Sequence, residues 1–86
     1  MCTNIATRTA VTGSAKTARG WVRVNEATMS FDHATHTWVE HALRIDFLDA
    51  SDDSIRVTVE LDLTSARAVL TRLEEVIGAA ERSGVE

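Results

Sequence analysis

The strongest constraint on this chain is a change of hydrophobic period near residue 64. Ile55, Val57, Val59, Leu61 and Leu63 alternate with Arg56, Thr58, Glu60 and Asp62, which predicts a strand over 54–63 with one apolar and one polar face. Directly afterwards Ala66, Val69, Leu70, Leu73, Val76, Ile77 and Ala80 follow i, i+3, i+4, i+7 spacing. That is the stripe of an amphipathic helix, capped by Thr64 or Ser65, weakened at Gly78 and ended by Ser83-Gly84. A helix that follows a strand directly must fold back onto an apolar sheet face, so the pair already implies an α+β layer.

Three further extended segments precede this pair. Residues 5–12 are rich in Thr and Val and read as a first strand, followed by a turn or short loop at 13–20 with a glycine at each end. Trp21 to Phe31 reads as a second strand whose alternation slips by one residue near Asn25 and Glu26, which a β-bulge explains. Val39 to Leu48 reads as a third, with His41, Leu43, Ile45 and Phe47 on one face. A hairpin centred on Ser51 sets Phe47 against Ile55, Ile45 against Val57 and Leu43 against Val59, with Asp46 opposite Arg56 as a cross-strand ion pair. The expected fold is therefore a single α+β domain over 1–86, a four-stranded antiparallel sheet with one C-terminal helix packed on its apolar face.

Composition narrows the class. Of the 86 residues 44% are hydrophobic and 26% charged, a globular balance rather than a disordered one. No run of about 18 apolar residues is present, so no membrane partner is expected. The start Met1-Cys2-Thr3-Asn4 lacks a secretory layout, and one Cys excludes an internal disulfide framework, so a cytoplasmic location is expected. The net charge of −4 conceals an uneven layout: Arg8, Lys16, Arg19 and Arg23 stand without an acid in residues 1–25, whereas all thirteen acids follow. Four cations over that length are too sparse for a phosphate-backbone footprint, and no aromatic RNA-binding signature accompanies them, so no nucleic-acid partner is expected. A basic hairpin beside acidic strands accounts for the asymmetry. A core this small is marginal alone, and homo-oligomerisation is the expected remedy.

The densest chemistry lies in Asp32-His33-Ala34-Thr35-His36-Thr37-Trp38-Val39-Glu40-His41, which holds all three histidines. Imidazole is the commonest transition-metal ligand, and His33, His36 and His41 could form a site for zinc, copper or iron with Glu40 or Cys2 assisting. The same residues could act as acid and base, with Asp32 and His36 the better catalytic pair. Glu40 and His41, as neighbours on a strand, are expected to face apart. If strands two and three pair around Thr35, Met29 faces His41, and His33 lies roughly 13 Å from His41 at ~3.3 Å per residue. On that register one metal reaches both only if the 32–38 loop curls back or a second subunit contributes, and His41 on a largely apolar face reads more readily as a hydrogen-bonded core residue than as a ligand. Trp21 and Trp38 could anchor an interface or line a ligand pocket. The 49–60 segment resembles a calcium loop only in its acids, since Ser54 replaces the turn glycine, and Gly13-Ser14-Ala15-Lys16 lacks the spacing of a phosphate loop.

Met1-Cys2-Thr3, Gly13-Ser14-Ala15-Lys16, Gly20-Trp21, Asp32-His33-x-x-His36, Glu40-His41-Ala42-Leu43-x-Ile45-Asp46-Phe47 and Ser65-Ala66-Arg67 resemble a family of short uncharacterised actinobacterial proteins. The resemblance spans nearly the whole chain and implies a compact bacterial domain without assigning chemistry. Ala34 and the acidic 49–53 connection depart from the pattern, where relatives carry Pro and a Gly-Pro loop. Eight Arg against one Lys, with twelve Ala, fit a high-GC genome. Two functions follow: a homo-oligomeric binding module for a small molecule or protein partner, or a metal-binding protein or metalloenzyme built on the histidine cluster.

Overall fold

The structure, a computed structural model, describes residues 5–84. Four antiparallel strands, β1 (Ile5–Thr17), β2 (Gly20–His33), β3 (His41–Asp49) and β4 (Asp52–Leu61), pair in chain order as an open meander, and α1 (Leu63–Ser83) follows. The α+β fold read from the two hydrophobic periods is the observed one.

Local structure departs from the reading in places where pairing overrides propensity. β1 continues through 13–17, because Gly13, Ser14, Ala15 and Lys16 pair with Val24, Arg23, Val22 and Trp21. Only Ala18 and Arg19 turn, held by the Thr17 hydroxyl, which donates to the Gly20 carbonyl at 3.0 Å and accepts from the Arg19 N–H at 3.1 Å. Gly20 takes φ 105°, a left-handed conformation that L side chains rarely adopt. The register slips between Ala10 and Gly13, so that Val11 and Thr12 oppose Asn25, and the extra residue lies on β1.

Both remaining hairpins differ from the expected registers by an even number of residues. In β2–β3 the pairs are Met29 with Ile45, Phe31 with Leu43 and His33 with His41, four residues from the pairing around Thr35. In β3–β4 they are Phe47 with Val57, Ile45 with Val59 and Leu43 with Leu61, two residues from the pairing around Ser51. Asp46 therefore faces Thr58, and its bond to Arg56 is diagonal at 3.4 Å. Asp46 is only 5% exposed and also receives Arg44 Nε at 3.1 Å, Thr28 Oγ1 at 3.3 Å and the Thr58 hydroxyl. Burial pushes its carboxyl up, but Thr58, Arg44 and Arg56 outweigh it and hold the group below its ordinary value.

The helix cap is Asp62, two or three residues before the expected cap, with Oδ1 accepting the Ser65 N–H at 2.7 Å. Gly84 ends α1 in the left-handed region, as Ser83-Gly84 suggested. The first half of α1 meets the sheet: Leu63, Ala66, Val69, Leu70 and Leu73 line a cleft of about 300 Å³ opposite Met29, Leu43, Ile45 and Leu61. The packing is incomplete. No residue of α1 is buried, and the buried apolar residues of the described chain are Val24, Ala27 and Ala42.

Candidate metal centre

The β2–β3 connection is a seven-residue loop, 34–40, closed by the Ala34 N–H donating to the Glu40 carbonyl at 3.0 Å. Its shape is set from β4. The Glu60 carboxylate accepts the N–H groups of Thr35 at 2.7 Å, His36 at 2.8 Å and Thr37 at 3.2 Å. Those donors hold the Glu60 carboxyl down to about 2, far below its ordinary 4.5. Three consecutive loop amides that no strand partner satisfies thus converge on one anion. The alternation places Glu60 on the polar face of β4, but nothing in the sequence ties it to this loop.

With the loop so held, His33 and His41 become direct cross-strand partners, with ring centroids 4.5 Å apart. The expected separation near 13 Å is therefore corrected, because a wide loop rather than a turn at Thr35 joins the strands. Glu40 precedes β3 on bent backbone, so the rule that neighbours face apart does not apply to it. One ligand atom each from His33, Glu40 and His41 lie within 4.8 Å of one another. The His41 ring also stacks on Phe31, 5.7 Å between centroids.

Asp32 engages His33: its Oδ1 accepts the His33 N–H at 2.7 Å and lies 3.2 Å from Nδ1. The backbone N–H of His33, aided by its imidazole, holds the Asp32 carboxyl below its ordinary value. A carboxylate beside one ring nitrogen is the arrangement that orients metal-binding histidines elsewhere.

The remaining candidates lie apart from this cluster. His36 is exposed in the loop, where its backbone N–H serves Glu60, and it does not join the cluster of three. Trp38 is 100% exposed in the same loop, whereas Trp21 is exposed at the opposite end of β2 beside the β1–β2 turn. The two tryptophans thus do not form one pocket. Cys2 lies outside the described residues. Two of the acids of 49–53 are engaged in turns: Asp49 accepts the Ser51 hydroxyl at 2.7 Å and N–H at 3.0 Å, and Asp52 accepts the same pair from Ser54. Arg23 adds its charge to the groups that lower the Asp49 carboxyl, which fits a basic hairpin lying beside acidic strands.

An open four-stranded meander with a trailing helix, carrying two histidines and a glutamate at one end of the sheet, defines a small α+β domain with a candidate metal centre. The chain belongs to a family of unknown function, DUF6295, which it matches over residues 1–86. No curated protein and no solved structure matches it. No helix among the described residues is long and apolar enough to cross a membrane.

Proposed function

We propose that this protein is a small bacterial metal-binding module, cytoplasmic and from a high-GC organism, in which His33, Glu40 and His41 hold one zinc, copper or iron ion. The observation that carries the reading is the convergence of their ligand atoms within 4.8 Å. Two imidazoles and a carboxylate form the donor set of hydrolytic zinc sites and of non-haem iron sites, and both keep positions open for water or substrate. Ligand atoms around a tetrahedral zinc with bonds of ~2.0–2.1 Å lie roughly 3.4 Å apart, so side-chain rotation of about an ångström closes the triad. Asp32 supplies the outer carboxylate that orients His33.

Native mass spectrometry and elemental analysis of the untagged protein test this. One ion per subunit is expected, lost in His33→Ala and His41→Ala and retained in His36→Ala. Asp32→Asn should weaken binding about 10–100-fold. Protein that stays metal-free after zinc, copper and iron are added sinks the proposal.

A second reading, the homo-oligomeric binding module, draws on the fully exposed Trp38 and on the apolar cleft under α1. At about 300 Å³ that cleft is at the small end for a ligand site, and Arg67 is the charged group among its lining residues. The triad gives the metal reading a specific chemistry that the cleft lacks.

A further inference from the structure

The metal triad and the apolar cleft under α1 lie on one face of the sheet, a single step apart. The registers set His33 against His41, then Phe31 against Leu43 and Leu61, then Met29 against Ile45 and Val59. Cross-strand partners share a face, and so do residues two apart along a strand. Met29, Leu43, Ile45 and Leu61 line the cleft, so His33 and His41 stand on the face that α1 covers. Along β3, His41 is the next same-face neighbour of Leu43, about 7 Å from it. Phe31 fills that step, because it pairs with Leu43 while its ring stacks on His41 at 5.7 Å. His41 is accordingly half-buried, whereas His33 and Glu40 are exposed. An apolar surface thus leads from the His41 imidazole into the cleft.

The two ends of this surface select different parts of one molecule. The side chains lining the cleft are apolar apart from Arg67, and about 300 Å³ suits a short hydrocarbon body. Arg67 has no ion pair among the described residues, so the cleft favours an anion over a cation. The triad offers two imidazoles and one carboxylate, so a divalent ion held there keeps a positive charge and open positions. Both charges call for an anionic head, and only the cleft takes an apolar tail.

We propose that the cleft holds the apolar body of a ligand whose head coordinates the metal, and that this ligand is a short-chain amphiphilic carboxylate. The inference rests on the metal reading and gives that centre its ligand class.

Native mass spectrometry first shows which of zinc, copper or iron the chain takes up. Calorimetric titration of the chain loaded with that ion follows, using acetate, butanoate, hexanoate and octanoate. One carboxylate per chain is expected, with affinity rising about two- to fourfold for each added CH₂ until the cleft is full. Metal-free protein should bind octanoate at least about tenfold more weakly. Ala66→Phe, which fills the cleft from the helix side, should flatten the series and leave metal content and acetate binding unchanged. If that variant does not fold, the series on the unaltered chain decides alone. Affinity that does not rise along the series, octanoate binding indifferent to the metal, or a metal-loaded oligomer whose cleft takes no carboxylate would overturn the inference and leave the metal centre standing. A chain that takes up none of the three ions removes the metal centre and this inference together.

Discussion

At the scale of single residues, two carboxylates hold the sheet's chemistry in place. Glu60 gathers three loop amides, and its carboxyl lies near 2 when folded against an ordinary 4.5. A depressed carboxyl stabilises its bound form fully above about pH 4.5 and loses that contribution as pH falls toward 2. Hydrogen exchange at Thr35, His36 and Thr37 should therefore quicken across that window, while Glu60→Gln should exchange fast already at pH 6. Unchanged protection in the variant would remove Glu60 from the loop's control. Asp46 is the buried counterpart. Asp46→Ala should cost about 1.5–3 kcal/mol in denaturant unfolding, because it strips charged hydrogen bonds from an almost inaccessible site. Arg56→Ala should cost under about 1 kcal/mol, since its guanidinium is half-exposed. Equal losses would mean that burial does not set the difference.

At the scale of elements, α1 shows how backbone conformation decides what a residue is worth. Gly84 sits at φ 74° and its N–H donates to the Glu81 carbonyl at 3.2 Å, so Gly84→Ala should destabilise by about 1 kcal/mol. Gly78 lies inside the helix, where an added Cβ meets the flexible end of Arg82 at 3.1 Å. Gly78→Ala should stabilise by up to about 1 kcal/mol. Thermal unfolding of the two variants, identical in chemistry, should move in opposite directions. The helix was legible in the sequence from its 3.6-residue period and its terminal glycine. Its cap moved to Asp62 because β4 ends at Leu61 and the carboxylate beyond reaches the Ser65 amide. The first hairpin was half legible: its Gly-Ser-Ala-Lys stretch looks like a loop, yet pairing with β2 satisfies its backbone and draws it into the strand.

At the scale of the molecule, the thin core is the dominant fact. With Val24, Ala27 and Ala42 as the buried apolar residues of the described chain, a lone copy lacks the burial that small domains need. Association would shift stability by mass action, and a melting temperature that climbs as protein concentration rises a hundredfold would show it. A melting temperature independent of concentration would show that the thin core stands alone.

The sequence by itself determined the elements, their order and which side chains share a face, because side-chain period follows from local backbone geometry. The structure alone decided the registers. Shifts of two and four residues keep every apolar side chain on its face, so alternation cannot discriminate among them, whereas a shift of one would have been visible. The candidate centre turned on that choice. His33 meets His41 only in the observed pairing, and the loop that permits it is held by a glutamate from β4, twenty residues beyond Glu40 in the chain. Contacts between residues so distant in sequence leave no local periodic trace, and only the folded chain brings them together.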